Sequence, residues 1–238
     1  MLSYRMIDAP GYAAEDEGQP LSLHPAYGST RLRAPLKELV AIPQTVTETT
    51  GPAGDLAWLA GPSMADLTRQ HGGEPLGQRI ILHGRVLDEQ SRPIPHSLIE
   101  VWQANAAGRY IHLRDQWDAP IDPNFTGVGR VVTDDEGRYR LVTVRPGAYP
   151  WGNHHNAWRP AHIHLSLFGP AFATRLVTQC YFEGDPLIAL DPIAGATPEQ
   201  ARERLIAKFD LAATQPNWAL AYAFDIVLRG RAATPLEA

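Results

Sequence analysis

Between Trp158 and His164 the chain reads WRPAHIH, which crowds an arginine, a proline and two histidines into seven positions. In an extended segment successive side chains alternate, so His162 and His164 face one way and Ile163 the other. Two imidazoles on one face can reach one metal ion. They can equally be two half-exposed side chains, and the motif alone leaves both readings open. Pro160 stiffens the start of the segment and would help preorganise the pair. Two imidazoles do not fill a tight site, so further ligands are needed. The other histidines, His24, His71, His83, His96, His112, His154 and His155, are scattered or lie in polar stretches, and none repeats the spacing. Cys180 is the single cysteine, which leaves no Cys-x-x-Cys metal knuckle. Tyrosine is the remaining donor of interest. A phenol has a pKa of about 10 and is normally neutral, but a trivalent cation can draw off its proton and bind the resulting hard oxygen. Tyr110, beside a glycine in NAAGRYIH, and Tyr149, in RPGAYPW, are the candidates. Each alone could also be an amphipathic aromatic with a buried ring and a hydroxyl at the surface.

The elements that must position these residues alternate with period two from Arg79 onward. RIILHGRVLDEQSRPIPHSLIEVWQAN reads as strand, turn, strand. GRVVTDDEGRYRLVTVRPG reads as a second such pair, turned at DDEG. AHIHLSLFG, TRLVTQCYF and LAYAFDIVLRG add three strands. Thr197 to Asp210 carries the clearest helical pattern: Thr197 suits the N-cap, Pro198 the first turn, and Leu205, Ile206 and Phe209 an apolar stripe for packing. Residues 1–75 differ. They are rich in Pro, Gly and small polar residues, with helical patterns at Ala34–Ile42 and Pro62–Gly73, the second ending in glycines. Such an arm must lie on the main domain or on another subunit to be ordered. The expected fold is mainly β: a β-sandwich core over residues 76–238, an irregular arm over 1–75, and a few short helices.

The bulk composition narrows the function. The chain has 238 residues, enough for one substantial core, and a net charge of -5 with no long basic run. That disfavours a nucleic-acid partner. No apolar run is long enough to span a bilayer, and the first residues lack the apolar core of a secretory signal. A cytoplasmic protein without membrane contact is expected. The 21 prolines and 20 glycines favour many short elements joined by defined turns.

GRYIH, RPGAYPW and WRPAHIH, in this order and spacing, resemble the intradiol ring-cleaving dioxygenases. The resemblance extends through GRVLDEQSRPIPHSLIEVWQANAAGRY, DPNFTGVGRVVTDDEGRY, TQCYFEGDPLI and AYAFDIVLRG, and runs from about Tyr27 to Gly230. It implies a non-haem Fe(III) enzyme, one iron per chain, that opens catechols with O2 between the two hydroxylated carbons. It implies Tyr110, Tyr149, His162 and His164 as ligands, with Tyr149 and His164 axial and a hydroxide completing the set. Fe(III), two tyrosinates and one hydroxide sum to neutrality, which suits a site of low dielectric. The resemblance also implies that Tyr149 leaves the iron and takes a substrate proton. It gives Arg159 a place over the substrate ring and Gln179 the task of holding that arginine. Trp151 and Trp102 line the pocket, and Tyr27 reaches the site from the arm. The expected partner is a homologous alpha subunit, without ligands of its own, that completes the pocket in a large αβ assembly. Catechol- or hydroxyquinol-cleaving relatives are the rival enzymes, and their longer helical N-terminal region contrasts with the short arm here. An iron-free structural subunit and a metal-free binding sandwich are the rivals outside catalysis.

Overall fold

The computed structural model describes residues 18–37, 62–152, 157–168, 175–228 and 230–237. Its strands are β1 (Arg79–Leu87), β2 (Leu98–Trp102), β3 (Val128–Val132), β4 (Arg138–Val144), β5 (Tyr149–Trp151), β6 (Ala157–Arg159), β7 (His162–Phe168), β8 (Arg175–Phe182), β9 (Ile206–Gln215), β10 (Ala219–Ala223) and β11 (Ile226–Val227). The mainly β expectation is correct. One mixed sheet runs in the order β11-β1-β10-β9-β8-β7-β2-β3, with β4 paired to β1, and β5-β6 form a separate pair.

The sheet becomes a sandwich because β9 serves both halves. Its first residues pair in parallel with β8, Ile206 opposite Tyr181 and Ala207 opposite Phe182. From Lys208 onward it pairs antiparallel with β10. The two halves therefore fold over one core. Ile80 and Leu82 of β1 and Leu141 of β4 meet Ile99 and Val101 of β2 and Ile163, Leu165 and Leu167 of β7 in a single buried cluster. Burying each such side chain contributes about 1.5–3 kcal/mol. Strand β7 is a fully enclosed platform, with every residue from His162 to Leu167 buried.

Several sequence expectations change in the structure. The two strand–turn–strand units do not form hairpins. The DDEG turn does close, with Gly137 N–H donating to Asp134 O at 3.0 Å and Gly137 at φ +69°. Its flanking strands then join different partners, β3 pairing with β2 and β4 with β1. The same holds for β1 and β2, which flank DEQSRP. These turns carry the chain from one layer to the other, because each strand finds a better partner far along the sequence.

The long helix expected over Thr197–Asp210 is only a helical turn, Glu199–Arg202, followed by a 3-10 turn, Glu203–Leu205. From Ile206 the chain is strand, because pairing with β8 and β10 overrides local helical preference. Leu205 is buried as expected, whereas Phe209 is exposed. Thr197 instead closes the preceding short helix, Pro192–Ala196. Pro62–Gly73 is likewise broken into 3-10 turns, Pro62–Ala65 and Leu67–Arg69. Asp66 between them is extended, bridges Val142 of β4, and caps Thr68 N–H with its carboxylate at 3.0 Å. That break turns Leu67 into the main core, where it is fully buried. In the arm the helical turn is Thr30–Arg33, and Ala34–Lys37 are not helical. Glu38–Ile42 of the expected Ala34–Ile42 helix lie outside the described residues, as do His154 and His155. Among the described residues no helix is long and apolar enough to cross a membrane.

Candidate active site

Strand alternation places both imidazoles of β7 on one face. His162 stands opposite Tyr181, and His164 opposite Gln179 on β8 and Trp102 on β2. Their ring centroids are 4.8 Å apart. Ile163, opposite Cys180, fills the core on the other face. Each imidazole is oriented through Nδ1. His162 donates to the carbonyl of Pro160 at 2.7 Å, and His164 to the carboxylate of Glu237 at 3.1 Å. Those bonds fix the tautomer and leave both Nε2 lone pairs available to a cation. Burial, with Arg159 and His164 nearby, holds the His162 pKa well below the ordinary histidine value, so the ring is neutral and able to ligate. Trp102 stacks flat on His164, with centroids 4.8 Å apart and planes 5° from parallel.

Two phenols arrive from outside β7, Tyr110 from a loop and Tyr149 from the first position of β5. Tyr149 Oη lies 3.3 Å from His162 Nε2. The Tyr110 ring meets that of Tyr149 edge to face at 5.6 Å. Glycine permits the approach of the two loops. Gly108 is at φ +78°, and a Cβ there would come within 2.3 Å of the Ala148 carbonyl oxygen. The turn before Tyr110 is fixed by Asn105 Oδ1, which accepts the Ala107 and Arg109 N–H groups. Tyr110 N–H donates to Asp115 at 2.8 Å. Burial, and then the facing Tyr149 phenol, push the Tyr110 pKa well above that of a free phenol. Burial also raises that of Tyr149, against the pull of Arg159. The Tyr110 hydroxyl is buried without a hydrogen-bond partner of ordinary geometry. A buried polar atom left this way is normally expensive. A cation bound among the four side chains would satisfy it. The donor set fits Fe(III): two hard phenol oxygens and two imidazoles whose Nδ1 atoms are already engaged, leaving Nε2 to face the ion. No cluster of three or more His, Cys, Asp or Glu side chains suited to a metal occurs among the described residues.

Arg159 reaches the site from β6, where it stands directly opposite Tyr149. Alternation along β6 turns Trp158 outward and Arg159 inward, so Arg159 is 3% exposed and does not stack on Trp158 as a surface residue would. Its Nε lies 3.1 and 3.2 Å from the two carboxylate oxygens of Asp191. Its Nη2 donates to Gln179 Oε1, and to the Tyr181 hydroxyl at 3.3 Å. Burial opposes the charge, but Tyr181 and Asp191 keep it firmly protonated. The guanidinium carbon lies 5.9 Å from the Trp151 ring centroid. Tyr27 packs edge-on against the other side of that tryptophan at 5.3 Å and is 6% exposed, seated with Ile193 and Ala196.

A cavity of about 1240 Å³ opens over these groups, walled by Tyr110, Tyr149, Trp102, Trp151, Trp158 and Trp117 among others. The phenols face it, while the imidazoles and Arg159 stand behind them. All the residues singled out from sequence thus come together around one point, although Tyr27 reaches it only through Trp151. Three residues escaped the sequence reading: Asp191, Tyr181 and Glu237. Asp191 had a local signal, as an Asp-Pro pair starting a short helix whose Ile193 N–H it caps at 3.2 Å. Tyr181 shares a strand face with Gln179. Glu237 has no local signal at all.

The similarity to known proteins agrees with this geometry. Residues 51–230 match a family profile described as "Dioxygenase", and residues 12–45 one described as "Protocatechuate 3,4-dioxygenase beta subunit N terminal". The chain is 56% identical to the protocatechuate 3,4-dioxygenase beta chain of Burkholderia cepacia over 92% of its own length and 93% of that protein's. It is 30% identical to the protocatechuate 3,4-dioxygenase alpha chain of Pseudomonas putida, over 81% of this chain and 95% of that one. Among solved structures, catechol 1,2-dioxygenase from Pseudomonas arvilla C-1 superposes with a TM-score of 0.52 at 26% identity, covering 69% of this chain and 55% of that one. With its β-sandwich, its paired phenols and imidazoles, and these relatives, the chain belongs to the protocatechuate 3,4-dioxygenase beta-chain group of the intradiol ring-cleaving dioxygenases.

Proposed function

We propose that this chain is the iron-bearing subunit of a cytoplasmic αβ enzyme that cleaves protocatechuate with O2 to 3-carboxy-cis,cis-muconate. Tyr110, Tyr149, His162 and His164 hold one Fe(III) per chain. Residues 76–238 form the catalytic domain, and residues 1–75 an arm that makes subunit contacts and supplies Tyr27. The observation that carries the reading is the convergence of two oriented imidazoles on two half-buried phenols, one of them with a buried hydroxyl that lacks a hydrogen-bond partner of ordinary geometry. The family is iron-dependent, and an alpha-chain relative exists to serve as the model for a partner.

Held by Tyr110, Tyr149, His162 and His164, Fe(III) would supply Lewis acidity to the bound substrate. The chain's own groups do the rest. Tyr149 Oη, beside His162 and facing the cavity, would be deprotonated when it holds the ion, and on leaving it would take up a phenolic proton from the arriving substrate and become a neutral phenol. Arg159 offers a fixed cation where negative charge develops on the ring, and a buried cation held by Asp191, Gln179 and Tyr181 needs no reorganisation to do so. Trp102 and Trp151 give the cavity apolar walls against which an aromatic ring can pack. The partner alpha chain contributes the contact for the substrate carboxylate.

An anaerobic titration tests the reading. The chain, co-produced with its alpha partner, should show a broad tyrosinate-to-Fe(III) absorption band that shifts on adding protocatechuate. A band that responds to catechol and ignores protocatechuate would assign a different substrate. A protein that stays colourless after ferric reconstitution would refute the ligand set.

A further inference from the structure

The two imidazoles of β7 are oriented by different means. His162 uses the carbonyl of Pro160, two residues away in the same strand entrance. His164 uses the carboxylate of Glu237, which is 73 positions further along the chain. The Glu237 carboxylate is partly sheltered, with a side chain 26% exposed against 11% for His164.

The segment that carries Glu237 is tied down along its length. Thr234 exchanges two hydrogen bonds with Val227, at 2.8 and 3.0 Å. Thr178 Oγ1 of β8 donates to Pro235 O at 2.7 Å, and Glu237 N–H donates to Val177 O at 2.8 Å. The arm adds a clamp, since Leu236 N–H donates to Gln19 Oε1 at 2.9 Å. Two residues later, Leu21 N–H donates to Ala196 O at 3.0 Å, at the end of the short helix whose cap, Asp191, holds Arg159. The stretch Gln19–Leu21 is thus bonded to Leu236, next to Glu237, and to Ala196, at the far end of the helix that Asp191 caps.

We propose that Glu237 is a positioning residue for His164: its carboxylate fixes the imidazole tautomer and ring angle and strengthens Nε2 as a donor, and the clamp at Gln19 holds it in place. The inference rests on the proposed role of His164 as a ligand. A carboxylate behind a ligating imidazole orients the ring and raises its basicity. The bond is charge-assisted and correspondingly strong. The arm thereby acts on the site from behind, as well as through Tyr27 and Trp151.

The test uses the assembled αβ protein loaded with iron. Glu237→Ala should lose iron to a chelator about 10- to 100-fold faster than the wild type, with an altered visible band and little change in thermal unfolding of the metal-free protein. Glu237→Gln, whose amide oxygen accepts the same bond, should release iron within a few-fold of the wild-type rate. Gln19→Ala should fall between them. An unchanged release rate and band in Glu237→Ala would overturn the proposal. If that variant does not assemble, Glu237→Asp, one methylene short of His164, gives the same comparison: faster release supports the role and unchanged release defeats it. A wild-type protein that takes up no iron would instead refute the four-ligand reading on which the proposal rests.

Discussion

Tyr149 and Arg159 are direct cross-strand partners on β5 and β6, and Tyr149 Oη also lies 3.3 Å from His162 Nε2. One short two-stranded ribbon thus delivers a phenol and a guanidinium to the same point above β7. The ribbon is separate from the main sheet. Its position is held by the buried contacts of Arg159 with Asp191, Gln179 and Tyr181. The two groups are therefore coupled, and single and double variants together measure how much each contributes.

Tyr149→Phe removes only the hydroxyl, so the ring packing against Tyr110 and His162 survives. Iron should be retained through the other three side chains, with a weaker tyrosinate band. Substrate association should slow by about 100-fold or more, in the range for loss of a positioned base. Stopped-flow mixing under anaerobic conditions measures this. An unchanged association rate would remove Tyr149 from proton transfer.

Arg159→Ala should leave the iron content near normal and lower kcat by about 100- to 1000-fold, the usual loss for one electrostatic group aimed at developing charge. Full activity would refute the assignment. Either single removal leaves one buried charge of the pair unmatched, but removing the carboxylate keeps the cation in the site. Asp191→Ala leaves a buried guanidinium without its carboxylate, a change that typically destabilises by about 3–5 kcal/mol. Chemical denaturation of the metal-free protein reads this directly.

Gly108→Ala forces a side chain into a left-handed backbone and against the Ala148 carbonyl. The backbone conformation alone costs about 1–2 kcal/mol, and the clash adds to it. Because Ala148 precedes Tyr149, the variant should both melt earlier and bind iron less tightly. A thermal melt with and without iron separates the two effects. Equal losses with and without iron would make Gly108 purely a stability residue.

Cys180 lies at the centre of the core opposite Ile163, and burial pushes its thiol well above the usual range. Thiol reagents should leave the native protein unlabelled and modify one site after unfolding. Rapid labelling of the native protein would mean that β8 opens readily. Cys180→Ser places a hydroxyl in the same apolar surroundings and should destabilise by about 1–3 kcal/mol.

By itself the sequence determined the β character of the chain, the side-chain alternation that aims His162 and His164 one way, and the presence of phenols and imidazoles in the motifs that carry the family resemblance. These are local properties: period-two patterning and residue identity survive any choice of strand partner. The DDEG turn was equally legible, because Gly137 can take a positive φ and Asp134 can cap the turn. Tertiary structure decided which strands pair, and here local cues misled. A helical pattern at Ile206–Asp210 gave way to strand, since the ladder to β8 and β10 satisfies more backbone groups than an isolated helical turn does. It also decided what holds the site. Asp191 is 32 positions from Arg159, and Glu237 is 73 from His164. Nothing in either residue's neighbourhood announces such a bond. It exists only once the sandwich has closed, when burial makes an unpaired guanidinium or an unoriented imidazole too costly to leave.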